Sequence, residues 1–189
     1  MKYYMKLGFI LLFTCAIAAG ILSYLNGVTA PLIAEVKRVE EEKGRFDVMV
    51  DENLKAEDIS FHPQFLDIDI KGDTLFYYIA KDKEGNKIGY ALKATKSGYS
   101  GNIVTVVGLR ADYTIKKIKV IGQTETPGLG AKCVAPNFAP RFVNLTKDQL
   151  KVDKDGGTIK SITGATITTR TITQSIQVSI NKLLEKEGK

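Results

Sequence analysis

KIGYALKAT, residues 87–95, sets apolar side chains at every second position. An extended chain points successive side chains to opposite faces, so Ile88, Tyr90 and Leu92 should share one face of a strand. LFYYIA (75–80) precedes it and is rich in β-formers. KDKEGN (81–86) between them has turn composition, so the two runs read as a hairpin. Gly98-Tyr99-Ser100-Gly101 makes the next break. Ile103–Leu109 and Ile115–Ile121 then form a second strand pair around Ala111-Asp112-Tyr113-Thr114. Four strands follow one another with short connections. Parallel neighbours would need a crossover of about a dozen residues or more, so the sheet should be antiparallel.

Beyond Ile121 the chain reads as a loop and then short irregular or helical pieces as far as Leu150. From Ile167 to Glu187 the period changes. Ile172, Ile176, Ile180 and Leu183/Leu184 fall on one stripe of a helix, although the many threonines weaken its first turns. The expected class is α+β: an antiparallel sheet with helices on one side, preceded by one N-terminal transmembrane helix. No internal repeat is visible.

That N-terminal helix rests on LGFILLFTCAIAAGILSYL (7–25), which carries no charge; the next charged residue is Glu35. About 20 apolar residues span a bilayer core. Lys2 and Lys6 precede the run, and Tyr3, Tyr4 and Tyr24 sit near its ends, where aromatic rings favour the membrane interface. The positive-inside rule places the N-terminus in the cytoplasm and the domain outside. A cleaved secretory signal is the rival, with Ala16-Ile17-Ala18 as the cleavage site. The apolar run continues past it through Ile21, Leu22, Tyr24 and Leu25, which favours a retained anchor. Residues 35–43 become helical and charged, a stalk that Gly44 should end. The expected divisions are an anchor at 1–34, a helical stalk and connection at 35–72, and a ligand-binding domain at 73–189.

The net charge is +6, of which Lys2 and Lys6 supply +2. The remaining charges alternate in sign, and Lys37-Arg38 and Lys116-Lys117 are too short to form a nucleic-acid footprint. Cys15 lies in the anchor and Cys133 in the domain, so no disulfide is expected between them. His62, the only histidine, precedes Pro63 in an expected surface loop, and no Cys/His spacing marks a metal site. No nucleophile–base pair stands out, so no catalytic residue is expected.

Two segments carry chemistry. SITGATITT (161–169) stands just before the last helix. A helix N-terminus offers unpaired N–H groups and partial positive charge to an anion. Gly164 lets the backbone come close, and the hydroxyls of Thr163, Thr166, Thr168 and Thr169 add donors. Lys160 and Arg170 would bracket the site with positive charge. Ordinary Ser/Thr capping explains the same composition. The second segment is TETPGLGAK (124–132), with a Pro127-Gly128 turn signal and two glycines around Leu129. It would suit a tight loop beneath a flat ligand, and equally a plain strand-to-helix connection.

Together with the anchor and GYSGNIVTVVGLR (98–110), these segments resemble the FMN-binding domain family. Within it they are most similar to the G subunits of Rnf ion-translocating electron-transport complexes, related to the C subunit of Na⁺-translocating NADH:quinone reductase. The resemblance spans nearly the whole chain. It implies that a flavin transferase joins the phosphate of FMN to the hydroxyl of Thr166. Thr163, Gly164, Ala165, Ile167 and Thr168 would line the phosphate. Thr124, Glu125, Thr126, Gly128, Leu129, Gly130 and Lys132 would lie against the isoalloxazine ring, with Tyr99 as a further neighbour. One position departs from the transferase motif, which usually carries an acidic residue six positions before the acceptor: here it is Lys160, with Asp155 nearby but out of register.

The resemblance implies an electron relay in the cell membrane, working with the other membrane and redox subunits of an Rnf complex that couples ferredoxin:NAD electron flow to Na⁺ or H⁺ movement. Two other readings stay open from the residues: a stand-alone, membrane-anchored FMN reductase with non-covalent flavin, and a non-redox extracytoplasmic binding or scaffold module.

Overall fold

The computed structural model describes residues 2–52, 54–68 and 74–188. It divides into two units, Met1–Glu40 and Glu41–Lys189. The first helix, α1, runs Lys2–Met49. In the first unit its side chains are exposed all round, including Phe9, Leu12, Ile21 and Leu32. Its most apolar window has a mean hydropathy of 2.1, and α1 is the one helix among the described residues long and apolar enough to cross a membrane. The hydroxyls of Thr14 and Thr29 donate back to the carbonyls of Leu11 and Leu25, so neither presents an unpaired donor along this surface.

The second unit is built on five antiparallel strands in sequence order: β1 (Ser60–Ile68), β2 (Thr74–Lys81), β3 (Lys87–Ser97), β4 (Asn102–Arg110) and β5 (Ile115–Gly122). The four expected strands are present, and β1 is an addition. His62 and Pro63 lie in β1, opposite Ile79 and Tyr78, and not in a loop. Proline lacks the N–H a central strand must donate, and β1 is an edge strand, so Pro63 is tolerated there. Much of the expected connection at 35–72 is therefore helix or strand, and its residues 53 and 69–72 lie outside the described residues. Ile88 also departs from expectation. The β2–β3 register shifts beside it, pairing Ala80 with Gly89 but Lys81 with Lys87. The extra residue turns Ile88 toward the opposite face from Tyr90 and Leu92.

Helix α2 (Thr166–Lys186) lies across the Tyr90/Leu92 face. Its stripe Ile172, Ile176, Ile180 and Leu183 is fully buried. Burying each such side chain contributes about 1.5–3 kcal/mol. Thr168, Thr169, Thr171 and Thr173 in its first turns are buried as well. Thr169 and Thr173 satisfy their hydroxyls on the carbonyls of Ala165 and Thr169, one turn back. The segment between β5 and α2 contributes Phe138, Phe142, Leu150 and Ile159 to the same core.

The other face of the sheet is covered by the last turns of α1. Val48 and Met49 pack on Ala80, Ala91 and Val106. This explains why Gly44 does not end the helix. A Cβ there would stand 3.1 Å from side-chain carbons of both Val106 and Ile121, so the glycine lets helix and sheet approach. Lys93–Glu41 (2.8 Å), Lys116–Asp51 (2.6 Å) and Lys119–Asp47 ion pairs edge this contact.

Candidate functional site

Three segments converge at one end of the sheet. The β3–β4 hairpin turns at Gly98–Gly101, where the Gly98 N–H donates to the Gly101 carbonyl at 2.7 Å. β5 ends at Gly122, opposite Val104, and delivers the 123–130 loop to the same end. There Thr126-Pro127-Gly128-Leu129 forms a tight turn: the Leu129 N–H donates to the Thr126 carbonyl at 3.2 Å, and Gly128 takes φ 76°. The first turn of α2 is the third segment, tied to the hairpin by Thr171 Oγ1 donating to the Ser97 carbonyl. Between them opens a cavity of about 620 Å³ lined by Tyr99, Glu125, Thr126, Leu129, Gly130, Gly164, Ala165, Thr166, Ile167 and Thr168. Cofactor sites typically occupy about 300–1,000 Å³.

Ten of the expected site residues thus share one wall. Thr124, Gly128, Lys132 and Thr163 fall outside it, although Thr124 stands behind the hairpin, beside Gly101. Arg170 does not join the expected positive bracket. Arg170 turns away to make two hydrogen bonds with Asp155, at 2.7 and 2.6 Å. Lys160 is exposed, and its carbonyl accepts from Arg141 at 2.6 Å. Beside Lys160, a different carboxylate organises the approach to α2: Asp153 accepts from both the N–H and the hydroxyl of Ser161.

With Arg170 turned to Asp155, the positive end of α2 faces the cavity without a charged partner from its own first turn. α2 starts at Thr166, its N-cap is Ala165, no side chain caps it and its first turn holds no acidic residue. The leading N–H groups of a helix have no intrahelical acceptor. Thr166 is half-buried, and its hydroxyl has no hydrogen-bond partner among the described residues. Beside these donors stand Tyr99, Leu129 and Ile167, which are 70%, 44% and 49% exposed. Donors for an anion at one side and uncovered apolar surface at the other fit a phosphorylated ligand with a flat ring.

The residue that assembles the wall is Glu125, only 5% exposed. One carboxylate oxygen accepts the Ser100 N–H at 3.0 Å, and the other accepts the Thr168 hydroxyl. Burial pushes its pKa up. The Thr168 hydroxyl and the N–H groups of Ser100, Tyr99 and Gly101 outweigh that, and hold the carboxyl below its ordinary range. A Cβ on Gly130 would stand 2.6 Å from one Glu125 oxygen and 2.7 Å from the Thr168 hydroxyl, and a Cβ on Gly98 would stand 2.6 Å from the other oxygen. Glycine at these places allows the clamp to close. Glu125, read from the sequence as a neighbour of the ligand ring, lines the cavity, and its hydrogen bonds go to the protein. The residue types alone could not reveal this, because the partners come from positions 100 and 168. Cys133, next along the loop, is buried, and burial and then the Glu125 charge push its thiol up to about 11.

Fold and site together define an α+β domain, on a chain with one long apolar helix, whose cavity suits a phosphate-bearing aromatic cofactor. Residues 98–181 match the FMN-binding domain family. The chain is 33% identical over 190 residues to the G subunit of the Na⁺-translocating ferredoxin:NAD⁺ oxidoreductase complex of Acetobacterium woodii, covering 95% of this chain and 91% of that one. It is 30% identical to the G subunit of the proton-translocating ferredoxin:NAD⁺ oxidoreductase complex of Clostridium ljungdahlii, covering 93% and 89%. The G subunit of the ion-translocating oxidoreductase complex of Methanosarcina acetivorans matches at 32% over 115 residues, 60% of this chain and 61% of the relative. The crystal structure of the C subunit of the Na⁺-translocating NADH-quinone reductase from Parabacteroides distasonis shares the fold, with a TM-score of 0.60 at 18% identity over 80% of this chain and 94% of that one. The chain belongs to the G-subunit family of ion-translocating oxidoreductase complexes, and it carries that family's FMN-binding domain.

Proposed function

We propose that this chain is the electron-relay subunit of a membrane-bound, ion-translocating ferredoxin:NAD oxidoreductase, and that it carries FMN as a phosphoester on Thr166. One observation carries the reading. The Thr166 hydroxyl, without a hydrogen-bond partner among the described residues, stands on the wall of the 620 Å³ cavity, at the uncapped start of α2.

The chain's own residues supply binding and orientation. Thr166 offers the oxygen that exchanges its proton for phosphorus when a flavin transferase delivers FMN as an activated phosphoanhydride, whose P–O–P bond breaks so that its other phosphate leaves with that proton. A phosphodiester keeps one negative charge, which the first N–H groups of α2 stabilise. Leu129, Ile167 and Tyr99 give apolar surface to the ring, and the clamp at Glu125 holds Thr168, two residues from the attachment point. When bound, the flavin supplies the electron transfer; the protein's part is position and electrostatics. The 1–34 segment acts as a single-pass anchor in the lipid bilayer with its N-terminus in the cytoplasm, which places the flavin domain on the extracytoplasmic side, among the complex's other membrane and redox subunits.

Full-length protein made in its native host, then denatured, should show flavin fluorescence and a mass increment of one FMN phosphoester. A colourless preparation with the mass of the bare chain rules the reading out. Protease added outside intact cells should remove the domain; protection of the domain there would reverse the orientation.

A further inference from the structure

Among the described residues no lysine or arginine pairs with Glu125: its partners are a hydroxyl and backbone N–H groups. Such donors hold a carboxylate in place without cancelling its charge. The side chain is only 5% exposed, and a ligand filling the cavity it lines would further keep solvent and salt from screening it. It lines the same cavity as Thr166, and its contact on α2 is the third residue of that helix. The positive helix end that attracts the phosphate is therefore opposed, a few residues away, by a fixed negative charge. A site built only to retain an anion gains nothing from that charge. A site in which the ligand's charge changes during function does.

We propose that Glu125 sets the electron affinity of this site: its uncancelled charge in the cavity wall biases a bound flavin toward the oxidised form and lowers its reduction potential. The inference rests on the reading that the cavity holds FMN. Reduction of the ring takes up two electrons from a donor protein and one or two protons from water. With one proton the ring gains a net negative charge, and that charge is repelled by Glu125. Glu125 also positions Thr168, so its substitution could act through geometry alone. A reduction potential separates the two roles, because a neutral isostere keeps the shape and removes the charge.

The test uses the full-length chain made with a flavin transferase, with covalent flavin measured by intact mass and the potential by titration with dithionite and mediator dyes. Glu125→Gln can still accept the Ser100 N–H and donate to the Thr168 hydroxyl, which can also act as an acceptor. Its potential should be more positive, and at a fixed ambient potential its reduced-to-oxidised ratio should rise on the order of tenfold. An unchanged potential in flavin-loaded Glu125→Gln overturns the proposal and leaves the FMN reading standing. Wild-type chain without flavin overturns both. If Glu125→Gln does not load flavin, Thr168→Val and Thr168→Ser decide. Losing the hydroxyl donor leaves the carboxylate less compensated, so Thr168→Val should shift the potential more negative and Thr168→Ser should match the wild type. Equal potentials in the two variants overturn the proposal.

Discussion

The two ends of α2 are built on opposite plans. At the C-terminal end the polar side chains engage one another. Glu187 accepts the hydroxyls of Tyr77 and Tyr90, both at 2.8 Å. Tyr90 stacks on Tyr113, with ring centroids 5.2 Å apart, and receives the Lys87 ammonium at 2.8 Å. At the N-terminal end the cap is an alanine, the Thr166 hydroxyl has no partner among the described residues, and apolar side chains stand uncovered. One end closes the core; the other leaves donors and surface for a molecule the chain does not itself contain. The contrast separates a satisfied structural network from the candidate binding site, although both are rich in hydroxyls.

Thr166→Ala tests the contrast most severely. It should abolish covalent flavin while leaving the melting temperature of the unmodified chain nearly unchanged, since the hydroxyl bonds to none of the described residues. Flavin remaining covalently attached in that variant would move the attachment elsewhere. At the closed end, Glu187→Ala removes the shared acceptor of two tyrosines and should cost about 1–3 kcal/mol in denaturant unfolding, with flavin loading retained. A loss of loading equal to that of Thr166→Ala would erase the distinction between the ends. Ala165→Ser converts the open end toward the closed plan. A serine N-cap is worth about 0.5–2 kcal/mol over alanine, so stability should rise while flavin loading falls as the cap competes for the same N–H groups. Greater stability with undiminished loading would show that the ligand does not use those groups.

The smallest effects come from pH, and the two ends should respond in opposite directions. Glu125 has a lowered folded pKa, so its contribution is present above its unfolded value near 4.5 and is lost as pH falls through the folded value. Tyr77 is pushed up to about 12 by burial and then by its hydrogen bond to Glu187. Its contribution is complete below the unfolded value of 10 and is lost as pH rises from there through about 12. Denaturant unfolding across pH should show Glu125→Gln flattening only the acid limb and Tyr77→Phe only the alkaline limb. A variant that flattens both limbs would tie the two ends into one network.

By itself the sequence determined the elements whose signal is local. Alternation at 87–95 marks β3, β-forming runs between turn signals mark β2, β4 and β5, the isoleucine stripe marks α2, and an uncharged run marks the apolar part of α1. It also determined the two motifs at the site, because TETPGLG and TGAT are read from residues adjacent in the chain. Tertiary structure decided what depends on distant partners. His62 and Pro63 look like a loop until β2 pairs with them, because a strand is completed by its neighbour. Gly44 looks like a helix stop until the sheet packs against it. Arg170 looks like a phosphate ligand until Asp155 claims it, and nothing next to Glu125 in the chain foretells the hydrogen bonds that tie it to Ser100 and Thr168. Hydrogen bonds and charges act over ångströms of space and not over positions in the chain, so the assignment of each polar side chain at the site waits for the fold.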